Sequence, residues 1–327
     1  MPETIDHLAD SFPLAATATA ERRTVAGEVW QAINPVARRT IALQAALAAL
    51  TLPLYGVLDI SIRWSSGLTS ALVLGLLVGV WLVYVLAPSR RGRSKVAESL
   101  LAMLLLALLT NIVGPAQYVA VALRLPTVDP WLAAADSFLG LNVPALTQWT
   151  SGHPALAHSL VAAYFTLLPQ FALPIVVFGI VQPDRRRLWE YIFHFHFCLT
   201  ATLLGVALLP AACAFSHYGF ESLIDQTRFI AHFTALRDGA FHELRFNDIE
   251  GMISFPSFHV AGALMVTWAF RGRRGWLAPL VVLNTALIAS TVLTGAHYGV
   301  DVLATLVLFA VSLLVWRRWG SRGLTPA

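Results

Sequence analysis

The feature that most constrains this chain is a succession of long apolar runs separated by short polar turns. A helix needs roughly 17 to 25 mostly apolar residues to cross a bilayer. Runs of that kind lie at Thr40–Ile62, Leu68–Ala87, Ala97–Leu123, Ala157–Val181, Leu188–Ala214, Trp276–Thr294 and Tyr298–Trp316, with a shorter one at Pro256–Phe270. The sequence therefore predicts an all-α, polytopic membrane helix bundle of about eight transmembrane helices. Composition agrees: 57% of the 327 residues are hydrophobic and only 12% are charged, about half the charged fraction of a soluble domain. Mean hydropathy is +0.69. The net charge of +4 does not call for a nucleic-acid partner, because in a membrane protein the position of the basic residues outweighs their sum.

Those positions are ordered. Basic residues gather before the first run (Arg22, Arg23, Arg38, Arg39), in "PSRRGRSK" after the second, in "PDRRR" after the fourth, in "RGRRG" after the sixth, and in the tail (Arg317, Arg318, Arg322). These five segments hold 17 of the 22 basic residues. The intervening loops keep only Arg63, Arg124, Arg228, Arg237 and Arg245. The positive-inside rule then puts both termini in the cytoplasm. Residues 1–39 lack the apolar core of a secretory signal and read as a polar arm with one short amphipathic helix near Val25–Ile33. Of the two long outer loops, Arg124–Leu156 carries Trp131, Phe138, Leu141 and Trp149, which suit the membrane interface. Cys198 and Cys213 are too far apart along one helix to bridge.

The polar residues that need explaining are concentrated at the outer ends of the last three runs. "SFPSFH" opens the sixth, and "TGAHYGVD" joins the seventh to the eighth. Ionisable groups inside a membrane protein are costly and mark function. His297 and Asp301 are four residues apart, on one face of a helix. The carboxylate would hold one imidazole nitrogen and leave the other free to attack. His259 returns to a similar depth after two traverses. Pro256 to His259 would open a helix, where free N–H groups and the dipole favour an anion, and Ser257 adds a hydroxyl, although it also reads as a helix cap. An anion cradle, a His–Asp pair and a second His suit phosphoryl transfer through a phosphohistidine, with His297 attacking phosphorus and His259 protonating the leaving oxygen. No metal-ligand set is found, and no cofactor is expected. His194 and His196, two residues apart, face different sides of their helix and read as core hydrogen bonders, as do Asn111, Gln117 and Gln170 between helices. His217, His232 and His242 read as solvated.

"FPSFH" and "GAHYGVD" resemble the second and third signatures of the type 2 phosphatidic acid phosphatase superfamily. They are closest to its inositol phosphorylceramide synthase-like (inositolphosphotransferase) branch. The resemblance covers roughly Ala97 to Trp316 and implies a six-helix lipid phosphatase or phosphotransferase core over residues 97–316. An arm (1–39), two extra spans (40–96) and a tail (317–327) flank it. It implies His297 as nucleophile, Asp301 as its partner, His259 as acid and Ser257 as a phosphate ligand. Phe258 stands where the broader superfamily has Gly, Thr291 stands where it has Arg, and the first signature is absent. Arg237 in "LRDG", with Arg228 second, is the expected replacement for the missing phosphate-binding cations. The implied partners are a lipid phosphate and membrane lipids, with a lipid alcohol as a possible acceptor. Arg-rich, nearly Lys-free composition points to a bacterial plasma membrane, with the active site on the periplasmic or extracellular side. The competing readings are a transporter, which would need polar residues through the bilayer midplane, and a catalytically inactive scaffold.

Overall fold

The computed structural model describes residues 27, 29–30, 33–86 and 93–320. Most of the expected amphipathic helix near Val25–Ile33, the "PSRRGRSK" turn up to Gly92, and the tail beyond Gly320 lie outside the described residues.

The chain is an all-helical bundle, and among the described residues six helices are long and apolar enough to cross a membrane. They are α1 (Pro35–Val57), α2 (Leu68–Leu86), α3 (Arg93–Ala122), α9 (Arg185–Leu208), α13 (Arg274–Leu293) and α14 (Gly299–Val315). The fourth expected span is a broken one. Helix α6 (Pro154–Phe165) runs through a short α7 (Leu167–Gln170) into α8 (Leu173–Val176) and a π turn over Val177–Val181, with a bend of 41°. Pro169 and Pro174 lie in this stretch, and each removes a backbone donor that a straight helix would need. The sixth expected span is α12 (Phe258–Ala269). Its 12 residues reach about 18 Å, short of the roughly 30 Å hydrocarbon core.

Boundaries shift where local chemistry dictates. Helix α9 was expected to reach Ala214 but stops at Leu208, two residues before Pro210, because a proline biases its predecessor away from helix. Helix α1 ends at Val57, and the chain turns through left-handed Asp59 into a three-residue strand, β1 (Ser61–Arg63). This pairs in parallel with β2 (Glu243–Arg245), the one short exception to the helical reading among the described residues. The loop after α3 folds into two helices, α4 (Asp129–Phe138) and α5 (Val143–Ser151). Trp131 and Phe138 project outward from α4 at 73% and 91% exposure, as an interfacial segment requires. The loop after α9 contributes α10 (Ala214–Tyr218) and α11 (Thr227–Asp238).

Helix α9 is the centre of the bundle, packing on α1, α3, α12 and α14. Trp189, Tyr191, Ile192 and Phe195 are fully buried, and the helix's buried histidines find partners in neighbouring elements, as the core position requires. His196 bonds Gln44 of α1 at 2.7 Å and the Ile192 carbonyl at 2.7 Å. His194 bonds Ser312 of α14 at 3.0 Å. Both are core hydrogen bonders. Asn111 differs from expectation: its amide donates to Ala107, one turn back on its own helix. Gln170 likewise bonds Thr166 within the broken span.

The arginine-bearing turns meet at one end of the bundle. Arg187 donates to the carbonyls of Ala269 and Arg271. Arg271 forms a two-pronged pair with buried Glu190 at 2.8 and 2.6 Å, and Trp268 donates to the same carboxylate at 3.1 Å. This network fastens the C-terminal end of α12 to α9, and with it the depth at which the N-terminal end of α12 sits. Removing one member of a buried pair strands its partners. Arg271→Ala, which strands the buried Glu190 carboxylate, is therefore expected to destabilise the fold by about 3 kcal/mol, while Glu190→Ala costs less through this term because the stranded Arg271 is 36% exposed and Glu190 only 5%. Thermal or denaturant unfolding in detergent checks the order; equal costs would contradict it.

Candidate active site

At the opposite end from the arginine turns, four polar residues from two loops converge. The first loop descends to α12. Phe255–Pro256 is a cis peptide bond, and the helix starts at Phe258, so Pro256 lies ahead of the first turn rather than within it. Ser257 is the N-cap, and its Oγ accepts from the Val260 amide at 3.4 Å. The same oxygen lies 3.3 Å from Nε2 of His297. The capping and functional readings of Ser257 therefore coexist in one atom. His259 follows on the first turn.

The second loop ends α13. Left-handed Gly295 (φ +84°) reverses the chain, and the His297 amide bonds back to the Thr291 carbonyl at 2.9 Å. The residue where the family pattern has Arg is thus a structural anchor here. His297 precedes α14 instead of lying on it, contrary to the one-face expectation. It still meets Asp301, because Asp301 occupies the third position of α14 and reaches back over the helix start. Its Oδ2 is 3.1 Å from Nδ1 of His297 and accepts from the Tyr298 amide at 3.1 Å. A carboxylate on Nδ1 puts the ring proton there and leaves the Nε2 lone pair free. Asp301 is fully buried and His297 only 3% exposed.

The two imidazoles lie 6.2 Å apart between ring centroids. His259 stacks on Tyr164 of α6 at 4.0 Å, and the Tyr164 hydroxyl lies 3.2 Å from His259 Nδ1. Tyr164 was not singled out from sequence: a tyrosine in an apolar run carries no signal of its partner. His259 and His297 form one wall of a cavity of about 220 Å³. Apolar side chains supply much of the rest, among them Val113, Leu199, Phe229 and Phe258, with Gln117, Gln226 and the Cys213 thiol also facing it. Cys198 and Cys213 are both free and buried.

Neither expected cation lines this cavity. Arg237 donates to the Leu125 carbonyl at 2.9 Å and lies over Phe233. Arg228 is ion-paired with Glu250. That pair does join the cavity's flanks, since Phe229 and Gly251, their sequence neighbours, both line it. His232, expected in solvent, bonds Tyr118 at 2.8 Å. Gln117 clasps the 250–252 segment through the Glu250 carbonyl and the Met252 amide. No group of three or more His, Cys, Asp or Glu side chains among the described residues is placed to hold a metal ion.

Helix α4 holds the residues that follow His297. Asp136 accepts from the amides of Gly299 and Val300 at 2.9 and 2.7 Å, and Asp129 accepts from the Tyr298 hydroxyl at 2.9 Å. Burial raises the Asp136 carboxyl above its ordinary range, against the lowering pull of the two amides.

This is an integral membrane protein in which His259 and His297 face a largely apolar chamber, with Asp301 buried behind His297. The sequence model of the PAP2 superfamily matches residues 130–315, and the chain belongs to that superfamily. The match starts at Pro130, beyond α3. No curated protein and no solved structure matches the chain. Membership supports a phosphatase-like action on lipid phosphates.

The site's loop approaches α9 closely at Gly205. A Cβ there would stand 2.6 Å from Pro256 Cδ and 2.7 Å from the Phe255 carbonyl oxygen. Alanine normally favours a helix over glycine by roughly 0.5–1 kcal/mol. Here Gly205→Ala is expected to lower kcat at least tenfold by displacing Ser257 and His259. Steady-state kinetics on the variant decides: wild-type turnover would mean that the loop tolerates the shift.

Proposed function

We propose that the protein cleaves a lipid phosphate ester through a phosphohistidine on His297, passing the phosphoryl or phospho-head group to water or an alcohol. The observation that carries this is the placement of the two imidazoles 6.2 Å apart at one cavity wall, one of them held by Asp301. Nε2 of His297 attacks phosphorus, and the P–O bond to the leaving group breaks. His259 delivers a proton to the departing oxygen, and Tyr164 at Nδ1 leaves its Nε2 for that task. The imidazolium formed at His297 keeps its Nδ1 proton on Asp301. Water or an alcohol, deprotonated by His259, then attacks the phosphohistidine and restores both rings. Groups held in near-attack geometry remove much of the entropic barrier.

The phosphate oxygens face the Ser257 hydroxyl and the first amides of α12, which lack intrahelical acceptors. With no Lys or Arg among the cavity-lining residues, Arg228 is the cation best placed to join them, by exchanging Glu250 for the incoming anion. Val113, Leu199, Phe229 and Phe258 suit the hydrocarbon part of an amphiphile. Transfer to a lipid alcohol, as the likeness to the inositolphosphotransferase branch implies, uses the same two steps with a different acceptor.

Rapid quench in alkaline denaturant of purified protein exposed to phosphatidic acid or another lipid phosphate, radiolabelled in the phosphate, is expected to trap a phosphoprotein that keeps its label in alkali and loses it in acid. Adding an alcohol acceptor separates hydrolysis from transfer. His297→Ala is expected to abolish both the label and turnover; turnover that survives in this variant refutes the mechanism.

The positive-inside pattern supports a site on the non-cytoplasmic side. A cysteine at Asp225, exposed before α11, is expected to react with a membrane-impermeant maleimide from outside intact bacterial cells. Labelling only after permeabilisation would invert the topology.

A further inference from the structure

The interface helix α4 is amphipathic in an uncommon way. Its outward face carries Trp131 and Phe138, seven residues apart. Its inward face carries Asp129 and Asp136, also seven apart and exposed by only 3% and 0%. Two turns of helix therefore present two aromatics to the membrane boundary and two carboxylates to the protein interior. Buried carboxylates persist only when paired or hydrogen-bonded, and both of these spend their oxygens on the active-site loop or its neighbour. Both Asp129 oxygens accept from the Ala212 amide, beside cavity-lining Cys213, at 3.0 and 2.9 Å, and one also takes the Tyr298 hydroxyl. Asp136 takes the Gly299 and Val300 amides, one to each oxygen.

Helix α14 thus begins under two carboxylates. Asp301 closes the turn from within by accepting from Tyr298, and Asp136 closes it from outside. The approach is close: a Cβ on Gly299 would strike Leu141 and come within 3.3 Å of Asp136 Oδ1. The two amides that Asp136 holds lie between His297 and Asp301 in the chain.

We infer that Asp136 is a positioning residue for His297: from the interface helix it fixes the first turn of α14 and adds a negative charge to the field around the His297–Asp301 pair. This rests on the phosphohistidine reading above. Against His297 stand Asp301 ahead on the chain and Ser257 and His259 from the start of α12; Cys213 lines the same cavity, and Asp129 and Asp136 of α4 hold Tyr298, Gly299 and Val300, the residues that follow it. Tyr218 is the titratable neighbour on the other side of Asp136. Of these groups, Asp129 and Asp136 supply charge without touching either imidazole, and Asp136 is the one that also holds the backbone between His297 and Asp301. Removing that charge disfavours the imidazolium at His297, so its titration moves to lower pH.

The test compares wild type with Asp136→Asn, which is nearly isosteric but neutral, in purified, monodisperse full-length protein. Titration of the His297 ring by nitrogen NMR, with His297→Gln to assign the signal, needs no turnover. Kinetics on a lipid phosphate, per folded molecule, give the second readout. In Asp136→Asn the His297 titration and the acid limb of the kcat profile are expected to move together to lower pH. KM is expected to stay within about twofold and kcat to fall about tenfold to a hundredfold, the scale of a small misplacement. Asp136→Glu, which keeps the charge, is expected to return the titration to its wild-type position. An unchanged His297 titration in Asp136→Asn, or a loss of activity that merely follows folded yield, overturns the inference. If Asp136→Asn does not fold, Asp136→Glu alone decides, since a titration shift with the charge retained also overturns it. A wild-type protein without turnover on any lipid phosphate refutes the reading beneath, and the NMR result stands apart from it.

Discussion

One contact organises this molecule: an aspartate carboxylate on the Nδ1 edge of an imidazole, closed across the start of α14 in a site away from bulk water. In an environment of low polarity a carboxylate and an imidazole each need their partners, because unpaired polar groups there are expensive. The neighbouring architecture serves that need. Gly295 turns the chain so that His297 faces inward, Thr291 holds its amide, and the Tyr298 amide completes the Asp301 side. Ser257 meets the far nitrogen while capping its own helix. At the other end of the bundle, the Glu190–Arg271 pair sets where α12 stops.

The broad architecture was legible in the sequence, and so was the meeting of four of the six residues proposed for the site, for physical reasons. Spanning helices announce themselves by length and apolarity, and arginine-bearing turns by alternation, so each of the eight expected segments corresponds to a helix, a bent helix pair or the short α12. His259, Ser257, His297 and Asp301 stood out because such side chains are rare beside apolar runs. What was hidden depends on geometry that pattern does not encode. The helical reading of "GAHYGVD" treated four-residue spacing as one helix face, whereas the pair forms by a backward reach across a helix start. Asn111 bonds its own helix because the carbonyl one turn back is the nearest acceptor. Arg237 and Arg228 were expected at the phosphate because charge was needed there. The structure gives both guanidiniums other partners, a carbonyl and Glu250. Tyr164, Asp129 and Asp136 had no sequence signal, since only the fold shows what they touch.

The cavity's chemistry is lopsided. Its histidine wall carries the capacity for proton and phosphoryl movement, while its remaining walls are largely hydrocarbon. In the proposed mechanism, electrostatic stabilisation of a phosphoryl group falls to helix amides, a hydroxyl and the rings themselves, with Arg228 reachable only by breaking its bond to Glu250. Low polarity strengthens each of those contacts. It also ties the chemistry to a ligand that brings its own apolar body.

The α12–α13 hairpin acts as a caliper with the two histidines at its tips. Each residue in a helix advances the chain by about 1.5 Å and turns it through about 100°. An insertion or deletion of a single residue anywhere in α12 would swing Ser257 and His259 away from His297 unless the Arg271 clamp gave way instead. The hairpin's arms are therefore fixed in phase as well as in length. Variation among chains of this design belongs in the α12–α13 turn and the outer loops, where a change of residue number leaves both jaws facing each other.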